Sequence, residues 1–195
     1  MASRKRPVGA LLLTHGAGSD RNHQSLLAIE HAAGHLPVRR MDFPYRKEGR
    51  KPPDRAPKLI ASINTEADSF CKEVHIRPSR LVLGGRSMGG RMCSMAKAEG
   101  LAASALVLIA YPLHPPGKPD KLRTQHLSEI DVPCLFVSGT RDPFGTPEEL
   151  EAATSLIQAP VTHHWFDGAR HELKGLDSEV AEVVVGWLGT LGRNG

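Results

Sequence analysis

The stretch Leu81-Val82-Leu83-Gly84-Gly85-Arg86-Ser87-Met88-Gly89-Gly90-Arg91 decides how the rest of the chain is read. An apolar, β-prone run stops at two glycines, a serine follows inside Gly-x-Ser-x-Gly, and Gly90 to Glu99 has helical composition. Strand, tight turn and helix in that order are the context a nucleophile elbow needs. A serine at such a turn takes a strained backbone conformation, and the chain passes close to its neighbours two positions before and after. Only small residues fit there, and Gly85 and Gly89 occupy both places. The five-residue pattern alone arises by chance in a chain with 19 glycines, so its flanks carry the weight.

Outward from the elbow, apolar runs alternate with stretches of helical spacing. Gly9 to Leu13 is a continuous apolar run between Pro7 and a Gly-rich loop, the pattern of a strand buried on both faces. A helix is expected over Asn22 to Leu36, a short strand over Val38 to Phe43, and a surface loop over the Pro-, Arg- and Lys-rich Pro44 to Pro57. Ala56 to Val74 returns to helical spacing, with Leu59, Ile60, Ile63, Ala67 and Phe70 on one face. After the elbow come strands at Ala105 to Ala110, Pro133 to Ser138 and Val161 to Phe166, with helices at Pro147 to Ile157, capped by Thr146, and Ser178 to Leu191. Tyr111 to Asp131 is too rich in Pro and charge for core. Six strands and five main helices in alternation predict a doubly wound, mostly parallel α/β sheet with helices on both faces, formed by residues 1–195 as one domain.

In such a sheet the working loops collect at the carboxyl ends of the strands. Ser87 follows the third strand, Asp142 the strand ending at Ser138, and His171 the last strand. A serine hydroxyl becomes a useful nucleophile when a histidine takes its proton, and a carboxylate fixes that histidine's tautomer. The chain order Ser, Asp, His is the one this fold class uses. Asp131 and Asp167 compete with Asp142 for the acid, and a turn aspartate before Pro143 has an ordinary structural explanation; the strand-end position favours Asp142. His163 and His164 fall inside a strand and read as structural. Oxyanion donors are expected from the N–H of Met88 and from Gly16 or Ala17 in the loop after the first strand. A plain glycine-rich turn or a weak phosphate loop is the blander reading of that loop, which lacks the full dinucleotide or P-loop pattern.

Taken together, Leu13-Thr14-His15-Gly16-Ala17-Gly18, Phe43-Pro44-Tyr45-Arg46, Pro53-Asp54-Arg55-Ala56-Pro57, Gly84 to Arg91, Tyr111-Pro112-Leu113-His114-Pro115-Pro116-Gly117 and Gly139-Thr140-Arg141-Asp142 make the chain resemble the α/β-hydrolases. More narrowly it resembles the small dienelactone-hydrolase-like proteins related to the testis-expressed and chromatin-complex hydrolase-like family. The resemblance implies a minimal hydrolase core without a large lid, with Ser87, Asp142 and His171 at the family's triad positions. Arg170 departs from the pattern, since Asp commonly precedes the histidine. Some relatives act as binding or scaffold proteins, so the family supplies no substrate.

The function expected is a cytoplasmic serine esterase or thioesterase that acts on a small substrate through an acyl-serine intermediate. The alternatives are a non-catalytic binding or scaffold module, or an acyltransferase or peptidase on the same triad. Tyr45, Arg46, Tyr111 and His114 come from loops expected to overhang the pocket. Arg86 and Arg91 flank the nucleophile, where they would suit an anionic substrate unless nearby acids pair with them. No cofactor or metal is expected. The formal charge of +4 is mild and the basic runs, Arg4 to Arg6 and Arg46 to Lys51, read as solvated, so neither nucleic acid nor membrane is expected as a partner. Oligomeric state is left open. Three cysteines, Cys71, Cys93 and Cys134, fit neither a metal site nor a disulfide framework and suit a reducing compartment. The apolar run after Arg4 to Arg6 is too short for a signal peptide, and no run is long enough to cross a membrane.

Overall fold

The computed structural model describes residues 8–191, so the basic run Arg4 to Arg6 lies outside the described residues. Six strands run parallel in one sheet: β1 (Ala10–Thr14), β2 (Val38–Met41), β3 (Leu81–Arg86), β4 (Ala105–Ile109), β5 (Cys134–Gly139) and β6 (Val161–Phe166). Their spatial order is β2-β1-β3-β4-β5-β6. The chain therefore winds outward from β1 to β2, returns to β3 on the other side of β1, and continues to β6. That reversal puts the loops after β1 and β3 on either side of a crevice at the carboxyl edge, where ligands bind in open α/β sheets.

Alternate strand residues face opposite layers. Leu12, Leu83, Leu106, Leu108 and Phe136 pack with α3 (Ala56–Glu73), α4 (Met88–Ala98) and α5 (Pro147–Thr154). Leu11, Leu13, Val82, Val107, Val137 and Leu135 face α1 (Gln24–Ala32) and α6 (Asp177–Leu191), through Leu26, Ile29, Val180, Val184 and Leu188. Every residue of β1, β3, β4 and β5 is buried, which is why these strands read as unbroken apolar runs. The buried face of α3 is formed by Leu59, Ile60, Ile63, Ala67 and Phe70, joined by Cys71. Thr146 caps α5 in a capping box with Glu149, an arrangement typically worth about 1 kcal/mol.

One expected loop needs correction. Pro44 to Pro57 contains a short helix, α2 (Pro44–Lys47), started by a proline at its first turn. Four residues are too few to show a helical period. Three basic side chains of this segment are paired, Arg46 with Asp20 at 3.5 Å, Lys47 with Glu66 at 3.8 Å and Arg50 with Asp54 at 2.8 Å, whereas Lys51 and Arg55 form no ion pair among the described residues. Cys71, Cys93 and Cys134 are free and buried. Among the described residues no helix is long and apolar enough to cross a membrane.

Candidate active site

β3 ends at Arg86 and α4 begins at Met88, leaving Ser87 alone to turn the chain. Its φ of 52° and ψ of −120° lie outside the conformations that L-residues usually adopt. The turn holds because neighbours crowd it from both sides. A methyl group on Gly89 would lie 2.5 Å from Thr14 Oγ1 and 2.6 Å from the His15 carbonyl oxygen; on Gly85 it would lie 2.5 Å from Gly90 N and closer still to Thr14 Oγ1. Glycine at both positions is thus a steric requirement of packing the elbow against the end of β1.

Three side chains from three strand ends meet here. His171 Nε2 lies 2.9 Å from Ser87 Oγ, and His171 Nδ1 lies 2.8 Å from Asp142 Oδ2. The other Asp142 oxygen accepts from Phe144 N–H at 2.8 Å, so the carboxylate is held from both ends. With its Nδ1 proton directed to Asp142, His171 presents an unprotonated Nε2 to the serine hydroxyl. The rival acids are used elsewhere: Asp131 pairs with Lys97 at 2.7 Å, and Asp167 accepts from Thr140 Oγ1. His163 bonds Thr154 within the core layer, 2.9 Å away.

The loop after β1 closes the other side. A methyl built on Gly16 would touch Ser87 Cβ at 3.5 Å, so this loop runs directly alongside Ser87. Among the described residues no hydrogen bond occupies the N–H groups of Gly16, Ala17 or Met88. Two side chains fix the loop. His15 accepts from Phe43 N–H at Nε2, 3.2 Å, which requires the proton on Nδ1 and a donation from there to the Gly16 carbonyl, 2.8 Å. Burial lowers the His15 pKa from its ordinary value, in keeping with that neutral form. Tyr45 donates its hydroxyl proton to the Ala17 carbonyl at 2.8 Å, and burial pushes its pKa up to about 12.

Ser87, His171, Gly16, Ala17 and Arg86 line a cleft of about 440 Å³ together with Gly18, Ser19, His23 and Glu172. Tyr45, Arg46, Tyr111 and His114 do not line it, contrary to the expectation that they overhang the pocket. Tyr111 turns inward, where its hydroxyl meets Ser94 and His126, each at 3.2 Å. His114 is buried between the Pro115 carbonyl and Glu149. Tyr45 acts from beneath, through Ala17. Neither Arg86 nor Arg91 forms an ion pair among the described residues, and only Arg86 reaches the cleft. His23 borders the cleft as the N-cap of α1, with Nδ1 on Ser25. A histidine in the loop after the first strand was the available signal for it. No group of three or more His, Cys, Asp and Glu side chains among the described residues is placed to hold a metal ion.

A parallel sheet carrying an elbow serine, with a histidine and an aspartate after later strands, defines the α/β-hydrolase class. Residues 7–183 match the α/β hydrolase domain family, and the chain belongs to it. Solved structures repeat the fold. A dienelactone hydrolase from Anabaena variabilis superposes with a TM-score of 0.74 at 19% identity, covering 94% of this chain and 87% of the other. Est1E from Butyrivibrio proteoclasticus gives 0.78 at 15%, covering 96% and 90%. A monoacylglycerol lipase from Paleococcus ferrophilus gives 0.72 at 17%, covering 95% and 96%.

Proposed function

We propose that the protein is a serine hydrolase that cleaves a small carboxylic ester or thioester through an acyl-Ser87 intermediate. The observation that carries this reading is the unbroken relay Asp142 Oδ2, His171, Ser87 Oγ, with both contacts under 3 Å and the serine on a strained turn beside free backbone donors.

In the acylation half, Ser87 Oγ attacks the carbonyl carbon while His171 Nε2 takes the hydroxyl proton, and Asp142 stabilises the imidazolium. The N–H of Met88 and that of Gly16 or Ala17 hold the oxyanion; losing one such donor typically costs about 2.7–4 kcal/mol in the barrier. His171 then gives its proton to the departing alcohol or thiol as the carbonyl–heteroatom bond breaks. In the second half, water loses a proton to His171 and attacks the acyl-serine. The carboxylic acid leaves, and the proton returns to Ser87 Oγ. A cleft of about 440 Å³ favours short acyl groups over long lipid chains.

A fluorophosphonate probe tests the nucleophile directly. Wild type should become labelled at Ser87 and Ser87→Ala should not. An unlabelled wild type, or equal labelling of both, would overturn the catalytic reading of Ser87.

A further inference from the structure

Arg86 is the immediate neighbour of the nucleophile, and its position in the cleft is unusual for a cation. Only 8% of its surface is exposed, yet no carboxylate of the described residues comes within 4.0 Å of it. A buried charge without a partner is costly, and natural proteins normally pair it. One donor is used: Nη2 bonds the His171 carbonyl at 3.0 Å. Nε and Nη1 donate to no described residue, and neither is among the side-chain atoms sealed from solvent without a partner. These two donors therefore open onto the cleft that Arg86 lines with Ser87 and His171. Nη1 also lies beside Gly16, 3.8 Å from where a methyl on that residue would be, so the guanidinium flanks the space in front of the serine.

The acids nearest in effect are Glu172 and Asp177, which act on Arg86 through space without pairing. Glu172 is solvent-exposed at the cleft's border, where water screens it. Burial dominates the guanidinium's electrostatics and depresses its pKa, the signature of a cation held in a partly dry site. A guanidinium of this kind is suited to a carboxylate, which meets it through Nη1 at its outer end or through Nε along its edge, since these two N–H groups diverge and do not grip one anion together.

We infer that the substrate carries a carboxylate a few atoms from the scissile carbonyl, and that Arg86 binds it. This deepens the serine-hydrolase reading and rests on it. Arg86 touches the substrate away from the reacting atoms and selects for charge. A neutral ester of the same length leaves the guanidinium facing water in the cleft, whereas the anionic one gives it a charged acceptor.

Matched ester pairs test the inference, with hydrolysis followed by titration of released acid. Monomethyl glutarate against methyl pentanoate places the charge on the acyl side, and 3-acetoxypropanoate against propyl acetate places it on the alcohol side. Wild type should favour the anionic member of at least one pair by about tenfold or more in kcat/KM, the range of a charge-assisted hydrogen bond. Arg86→Met should reduce that ratio about tenfold, and Arg86→Lys should restore part of it. Equal rates within both pairs, or an Arg86→Met loss that is the same for charged and neutral esters, would overturn the proposal and reduce Arg86 to a support for the His171 backbone. Calorimetric binding of monomethyl glutarate and of 3-acetoxypropanoate to Ser87→Ala gives a second readout without turnover. At least one should bind, and that binding should be lost in Ser87→Ala/Arg86→Met; if neither binds, the anion site fails. Fluorophosphonate labelling of wild type separates this failure from failure of the serine-hydrolase reading itself.

Discussion

Replacing Gly89 by alanine would set a methyl group 2.5 Å from Thr14 Oγ1, 2.6 Å from the His15 carbonyl oxygen and 2.8 Å from that of Thr14. Two of these three atoms are backbone, at the end of the buried strand β1, and cannot swing aside. Relief requires α4 and the Thr14-His15-Gly16 segment to separate by several tenths of an ångström or more. Overpacking of this kind costs about 2–3 kcal/mol, equivalent to a drop in Tm of roughly 4–12 °C for a chain of this size. The larger effect should be on turnover, because the separation moves Gly16 and Ala17 away from Met88 and splits the two halves of the proposed oxyanion site. A misplacement of about 1 Å can cost on the order of 100-fold in rate. Thr14→Ala in the same chain removes one clash and leaves both carbonyl contacts, so it should not rescue. Urea denaturation and ester hydrolysis, measured on Gly89→Ala and on the double variant, check both figures. A Gly89→Ala protein with the stability and turnover of wild type would show that the elbow is not wedged against β1 as described.

Three other outcomes are expected. Asp142→Asn should keep the fold but lower kcat by about 10⁴, because an amide facing His171 Nδ1 favours the wrong tautomer; a loss below about tenfold would disconnect Asp142 from the relay. Burial, aided by Arg91, lowers the His126 pKa to about 4, so the folded protein resists its protonation while the unfolded chain accepts the proton near 6.5. The contribution is fully present above about pH 6.5 and declines as the pH falls toward about 4, by on the order of 1–2 kcal/mol after screening. Urea titrations across that window should show the loss, and His126→Gln should flatten it. Gly186 lies on the exposed face of α6 with nothing within 4 Å of an added methyl, so Gly186→Ala should stabilise by about 0.5–1 kcal/mol in the same assay.

The strands were the most legible part of the fold, because residues buried on both faces leave unbroken runs such as Ala105 to Ile109 whose ends fall within a residue or two of the structure. The strand-end rule then places Ser87, Asp142 and His171 near one another before any coordinates are consulted, since each follows a different strand of one parallel sheet. It says nothing about the direction a side chain takes after the strand. Tyr111 and His114 follow β4 as a pocket residue would, yet their partners, Ser94 with His126 and Glu149 with the Pro115 carbonyl, lie in the layer beneath. Ser94, His126 and Glu149 are 15 to 35 positions away in the chain, too far for any local pattern to signal. Tyr45 shows the same limit in a subtler form, reaching the loop at Ala17 from 28 residues away. The short α2 was hidden because a single turn has no periodicity.

The six-stranded order places β6 at the rim of the sheet, paired only to β5, and five of its six residues are half-buried while the sixth is exposed. His171 hangs from the turn that follows this strand, whereas Ser87 hangs from the buried centre. A sheet frays from its rims inward, with the opening free energy smallest where fewest apolar contacts must be broken. His171 and Ser87 thus belong to regions of different resilience. Denaturant should silence turnover before the core exchanges its amide hydrogens, leaving a folded molecule whose serine has lost its base.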